Sequence, residues 1–310
     1  MAENSGIEWT THTFNPWIGC TKVSAACDHC YAEAWDNRFG GERWGPHAAR
    51  TRTKTWGNPI KWNKQAQGAA ERPRVFVASL ADVFDNHKSI LTAWRHELWA
   101  LIRQCPNLDF LMLTKRPQNI ARYLPKDWGN GYPNVWLGAT VESQKEADRL
   151  AHLTAVPAVV HFLSMEPLLG PVDLSHHIDG LEWVITGGEN GSAYRPVDPD
   201  WFRSLRDQCA AADVPFLFKQ WEGRNQREIK AKGRELDGVV HDGYPAPLAA
   251  KPPKGKNMSL HDKPAYNHDA LKEALAKHGL PVDTPSQNAD SFRLGWTAAI
   301  DAVRALDSQS

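Results

Sequence analysis

No stretch of the sequence approaches the roughly 18 consecutive apolar residues of a membrane-spanning helix, so no membrane association is expected. The opening residues, Met1 to Gly6, show neither the basic start nor the apolar centre of a secretory signal. Net charge is also missing: 36 Lys and Arg balance 36 Asp and Glu, so any polyanionic partner must be met by a local patch. Cysteine is scarce, with 5 in 310 residues, which argues against a disulfide framework. A second C-x2-C pair, the usual partner knuckle of a zinc ribbon, does not occur. A cytoplasmic protein with reduced thiols is the expectation.

Three of the cysteines stand close together. Cys20, Cys27 and Cys30 follow Asn15-Pro16-Trp17-Ile18-Gly19 in a C-x6-C-x2-C pattern, directly after a short β-like segment. Three thiolates on one loop suit three irons of a 4Fe-4S cluster, and an iron without a protein ligand is open to chemistry. A zinc site completed by His29 or His12 is the rival reading, and structural or redox thiols are a third.

The rest of the chain sets apolar runs against helical stretches. Runs at 74–80, 108–114, 135–140, 159–164, 182–186 and 214–219 are short and continuous, as in a parallel sheet covered on both faces. Helices are predicted at 28–39, 88–104, 143–153 and 200–212, the last with Asp198 as N-cap and Pro199 in its first turn. Segment 40–73 reads as loop. Strand–helix alternation implies βαβ units. With the strand before Cys20, about seven strands are expected, which fits an α/β fold built as a partial or full (βα) barrel. The barrel domain is placed at 1–222 and a C-terminal extension at 223–310. Within that extension, 251–265 reads as linker and short helices are predicted near 268–278 and 289–306. The 14 Trp include several beside Gly or Pro (Trp17, Trp44, Trp56, Trp128), which marks them as packing anchors for loops.

Nearly every predicted strand ends in polar residues: Asp82, Thr114-Lys115-Arg116, Thr140 and Glu142, Glu166-Pro167, Gly187-Gly188-Glu189-Asn190, and Lys219-Gln220. Chemistry in such folds sits at strand C-termini, so these form a candidate ring facing the Cys loop. Cys105 and Cys209 fall in or beside predicted helices and are expected to be buried apolar residues away from it.

Thr13-Phe14-Asn15-Pro16-Trp17-x-Gly19-Cys20, Ser24-x-x-Cys27-x-x-Cys30-Tyr31-Ala32 and Leu113-Thr114-Lys115-Arg116-Pro117 form a characteristic set. Glu166-Pro167-Leu168, Gly187-Gly188-Glu189, Phe218-Lys219-Gln220-Trp221 and the Gly-Arg-x-Leu-Asp-Gly run at 233–238 extend it. Over roughly residues 7–245 the set resembles the phage Gp37/Gp68-like three-Cys-motif family and, more broadly, the radical S-adenosylmethionine superfamily. The spacing between the first two cysteines is longer than that superfamily's commonest form. The resemblance implies a partial (βα) barrel of radical S-adenosylmethionine type. It also implies a 4Fe-4S cluster on Cys20, Cys27 and Cys30, S-adenosylmethionine as second cofactor, and a reductase or other electron donor as partner. The implied activity is generation of a 5′-deoxyadenosyl radical. Gly187, Gly188 and Glu189 are then candidates for the methionyl amine, and Thr140 or Glu142 for the ribose. Lys115 is a candidate for the S-adenosylmethionine carboxylate or for a phosphate of a nucleotide substrate. No catalytic residue is assigned.

A different class of function competes with this one. Arg38, Arg43, Arg50, Arg52 and Lys54 interleave with Trp44 and Trp56, a mixture suited to phosphate contact and base stacking. The chain is then a non-catalytic nucleic-acid-associated protein with a structural metal or cluster. Under the enzymatic reading the same segment makes a nucleic acid or nucleotide the expected substrate.

Overall fold

The computed structural model describes residues 3–246. The linker expected at 251–265 and the helices expected near 268–278 and 289–306 lie outside the described residues.

The chain opens with β1 (His12–Phe14), β2 (Trp17–Ile18) and β3 (Thr51–Arg52), followed by β4 (Arg74–Val77), β5 (Asp109–Thr114) and β6 (Val135–Ala139). Then come β7 (Val160–Met165), β8 (Trp183–Gly187) and β9 (Phe216–Gln220). One seven-stranded sheet runs β1-β4-β5-β6-β7-β8-β9, parallel at every pairing. It curls into a half-barrel, so the expected α/β partial barrel is what forms. The six apolar runs are β4 to β9, because continuous burial leaves them no solvent face.

Helices occupy the crossovers. α1 (Tyr31–Arg38) and α2 (Asn58–Gln65) lie between β1 and β4, and α3 (Thr92–Arg103) between β4 and β5. α4 (Ile120–Tyr123), α5 (Arg149–Thr154) and α6 (Pro199–Ala211) follow. Asp198 caps α6 by accepting from the Asp200 amide at 2.9 Å, with Pro199 in the first turn, as expected.

The helix expected at 143–153 is a 3-10 turn at Gln144–Glu146 followed by α5 from Arg149, and three further boundaries differ from the sequence reading. The helix expected at 28–39 begins at Tyr31, because Cys30 is extended and a 3-10 turn takes Ala25–Cys27. Segment 40–73 is not all loop: it holds β3 and α2, whose Trp62 is buried against the His12 ring at 4.4 Å. The helix expected from 88 starts at Thr92, because Asp85 and His87 side chains accept from the His87 and Ser89 amides and hold a turn.

Side chains alternate across the pleat. Val75, Phe110, Met112, Leu137, Leu163, Val184 and Phe218 join the helix-side core. Phe76, Leu111, Trp136, Phe162, Trp183 and Leu217 fill the concave side together with Trp9. Gly138 leaves the space that Phe162 uses: a Cβ there would meet its ring at 2.4 Å. The floor of the half-barrel is therefore an aromatic plug.

Beyond residue 222, α7 (Gln226–Lys232) leads to the hairpin of β10 (Glu235–Leu236) and β11 (Val239–Val240). Asp237 and Gly238 turn it with φ of 56° and 76°, and Asp237 pairs with Arg203 and Arg206 of α6 at 2.7 Å each. The Phe218 amide donates to His241 O at 3.0 Å, tying the following chain to β9. Among the described residues no helix is long and apolar enough to cross a membrane.

Trp183 is fully buried between Trp136, Phe162 and Tyr244, with ring centroids 6.0, 6.0 and 5.2 Å away. Trp183→Ala is expected to cost about 3–5 kcal/mol of unfolding free energy. Phe39→Ala, at a site 65% exposed, is expected to stay within about 0.5 kcal/mol. Urea unfolding of the two variants checks both.

Candidate functional site

The Cys loop is anchored before its first thiol. Gly19 has φ +113°, and a Cβ there would stand 2.5 Å from Arg43 O, so only glycine fits. Its amide donates to Leu80 O at 3.0 Å, fixing the loop beside the end of β4. Asn15, fully buried, accepts from the Leu80 amide at 2.7 Å and donates to Ser79 Oγ at 3.0 Å.

Beneath Cys20 lies a buried charge network. Arg50 Nη2 pairs with Asp85 at 2.8 Å, and Arg116 Nη1 pairs with Asp82 at 3.0 Å. Arg116 also donates to Thr21 O at 2.7 Å and approaches Cys20 Sγ at 3.6 Å. Arg50 donates to Ala48 O at 2.6 Å and Gly45 O at 3.0 Å, and also to Thr21 Oγ1. Asp82 accepts further bonds from Thr114 Oγ1 at 2.8 Å and the Phe84 amide at 2.9 Å. Burial, with Asp82 adding to it and Arg116 opposing, pushes the Cys20 thiol up to about 12.

The far half of the loop is clasped from β8. Arg195 donates to Glu189 through its amide at 2.8 Å and its Nε at 2.9 Å, and reaches Ala25 O at 3.0 Å. It also faces Asp28 at 3.5 Å, while His29 Nδ1 stands 3.2 Å from Glu189. Burial would raise the Glu189 carboxyl, but the bonds from Arg195 and His29 hold it below the usual range. Cys30 caps α1, and Tyr31 donates to Ser79 O at 2.6 Å.

A cavity of 350 Å³ opens at the strand C-termini. Cys20, Cys27 and Cys30 line it, and so do Asp82, Lys115, Thr140, Glu166, Gly188, Glu189 and Gln220. Most of the expected ring thus meets in one space, with Trp9 and Phe76 in its lining. Glu142 and Gly187 are not among the lining residues. Glu142 is held by Arg149 at 2.8 Å, with Oε1 buried and unpaired. Gly188 is required by the fold itself, since a Cβ there would stand 2.2 Å from the Glu222 amide nitrogen. All five cysteines are free thiols. Cys105 and Cys209 are fully buried outside the cavity, their thiols pushed up by burial to about 11 and about 12. Among the described residues, no three His, Cys, Asp or Glu side chains are gathered closely enough to hold a metal ion.

In the basic, aromatic segment expected at 38–62, some cations are taken into the fold and others stay at the surface. Arg50 has no exposed side chain, Arg43 is bound to the buried Asp36, and Arg52 lies over Trp56 and pairs with Glu97. Trp44 packs against Ile18, Ala32 and Leu80. Arg43 and Arg50 hold the fold, while Arg38, Arg52 and Lys54 are exposed. Asp85 and Arg195, both central to the site, escaped the sequence reading. Asp85 lies past the end of β4, and Arg195 stands in a segment without strand or helix.

Arg116→Met leaves Asp82 buried without its cation and is expected to cost about 3–5 kcal/mol. Urea unfolding measures it, and an effect below about 1 kcal/mol, the range of surface pairs, would contradict a buried network.

No curated protein matches the sequence. Among solved structures, a cysteine-to-serine mutant of spore photoproduct lyase aligns with TM-score 0.40 and 12% identity over 68% of this chain and 64% of that one. A second lyase structure, a double mutant with bound AdoMet and dinucleoside spore photoproduct, aligns with TM-score 0.40 and 12% identity over 64% and 61%. The chain therefore spans somewhat less than two thirds of the lyase's length. A family model covers residues 4–245, nearly all of the described fold, and by that match the chain belongs to the family described as protein of unknown function DUF5131.

Proposed function

We propose that the protein is an iron–sulfur enzyme of radical S-adenosylmethionine type, acting on a nucleic acid or nucleotide. The observation that carries this reading is that all three thiols of the C-x6-C-x2-C loop line one cavity at the C-terminal ends of a curled parallel sheet. The donor set fits the group: three free thiols on one loop, as a cluster with one open iron requires. The zinc alternative lacks a ready fourth ligand. His29 faces Glu189, and His12 is stacked on Trp62 outside the cavity lining.

When bound, a 4Fe-4S cluster and S-adenosylmethionine together supply a 5′-deoxyadenosyl radical. The chain's own residues hold and shield. Cys20, Cys27 and Cys30 hold the cluster. Arg116 and Arg195 fix the two halves of the loop that carries the thiols. Thr140 and Ser164 offer hydroxyls to a ribose, and the Glu166–Lys219 pair, at 2.5 Å, offers a polar edge. Glu189 is engaged by Arg195 and His29, so its part is to clasp the loop rather than to bind an amine. Trp9 and Phe76 exclude water from the floor. Electrons come from an external reductase or other donor.

Protein prepared without oxygen is expected to contain iron and sulfide and to release 5′-deoxyadenosine when given S-adenosylmethionine and a reductant. Cys20→Ala, Cys27→Ala and Cys30→Ala are each expected to lose the brown absorbance. Stoichiometric zinc with no iron would sink the reading. Arg195→Ala, which frees Ala25 and Asp28 from Glu189 and leaves that buried carboxylate without its cation, is expected to lower the iron retained by the folded fraction after gel filtration and to cost about 3–5 kcal/mol in urea unfolding.

A further inference from the structure

The charges around the cavity are almost all spent on one another. Lys22 pairs with Glu33 at 2.8 Å, Arg116 with Asp82 at 3.0 Å and Lys219 with Glu166 at 2.5 Å. Lys115 differs. Its ammonium makes one long bond, to Thr140 Oγ1 at 3.4 Å, and among the described residues it has no carboxylate partner. The side chain is half-buried at the end of β5, where an ammonium with unused donors favours an anion.

Lys115 also stands where two spaces meet. It lines the main cavity and a second cleft of 360 Å³. The other residues common to both are Val23, from the Cys loop, and Arg116. The second cleft adds Asn86, Gln118, Asn119 and His152 as polar groups, Arg149 already bound to Glu142, and Asp148 as its one acidic residue. A ligand that spans both spaces must pass Lys115.

We infer that Lys115 holds a phosphodiester of a nucleic-acid strand, with the reacting nucleotide in the main cavity and its neighbour in the second cleft. The inference rests on the reading of the main cavity as the active site. A lone carboxylate is satisfied by the ammonium and leaves the second cleft without purpose. A strand uses both: the phosphate meets the cation, and the adjoining sugar and base meet the amide and imidazole groups. The site therefore differs in place from the basic segment at 38–62, of which Arg43 and Arg50 are taken up by the fold.

The test is fluorescence anisotropy of a labelled single-stranded oligonucleotide with full-length, anaerobically prepared protein over a series of salt concentrations. Lys115→Gln is expected to weaken binding roughly tenfold at low salt. It is also expected to reduce the slope of log affinity against log salt by about one phosphate contact. Lys115→Arg is expected to keep most of the affinity. In the wild-type protein, bound oligonucleotide is expected to protect Lys115 from an amine-acylating reagent, read by mass spectrometry, which decides the matter even if Lys115→Gln fails to fold. Superimposable binding of wild type and Lys115→Gln, or acylation of Lys115 unchanged by the strand, would overturn the inference. So would Lys115-dependent binding of a nucleoside monophosphate with none of the strand. Iron and sulfide assayed on the same samples separate the two readings. Iron-free protein that binds through Lys115 removes the cluster and keeps the phosphate site. Iron-replete protein whose binding ignores Lys115 does the reverse.

Discussion

The buried network of Arg50, Arg116, Asp82 and Asp85 is the constraint on which the site depends. Four charges removed from water are tolerable only when each is paired and its remaining hydrogen-bonding capacity is used. The chain meets that condition by drawing in backbone from separate places: Ala48 and Gly45, the Thr21 carbonyl, the Phe84 amide and the Thr114 hydroxyl. Arg95 extends it by donating to the carbonyls of Val83 and Asp85. Satisfying the charges and positioning Cys20 are thus one event. The segment after β4, the end of β5 and the start of the Cys loop are locked to the same four side chains.

The half-barrel supplies the space above this network by being filled unevenly. Toward the floor, Trp9, Trp136, Phe162 and Trp183 pack ring against ring. Toward the strand C-termini the inward residues become small or polar, as in Ser164, Thr114 and Thr140, and the cavity begins. Rings bury apolar area at the closed end, while short side chains leave room at the other. The charged pairs at the rim are already matched, so a ligand entering the cavity meets fixed dipoles rather than mobile ions. Among the described residues, Lys115 alone of the lining Lys and Arg side chains has no carboxylate partner.

Local order in the sequence accounts for much of this. The runs that become β4 to β9 were legible because strands buried on both faces must be apolar throughout. The start of α6 was legible because Asp198 and Pro199 act on their own backbone. The C-x6-C-x2-C spacing marked the loop, and the polar strand ends marked the rim. What stayed hidden depended on partners far along the chain. α2 has one buried aromatic, Trp62, and needs the His12 ring to justify it. Arg50 looks like a surface cation until Asp85, 35 residues away, is placed beside it.

By itself, then, the sequence determined the strand–helix alternation, the thiol spacing and which residue types stand at the strand ends, since each follows from backbone propensity and local burial. Only the tertiary structure decided which charges are spent and which are free. Arg43, Arg50 and Arg116 became internal struts, Glu189 became a clasp through Arg195, and Lys115 was left with an unused charge. The physical reason is that a charge's role is set by its neighbours in space. In a parallel half-barrel those neighbours come from different strands, separated in sequence by whole βα crossovers.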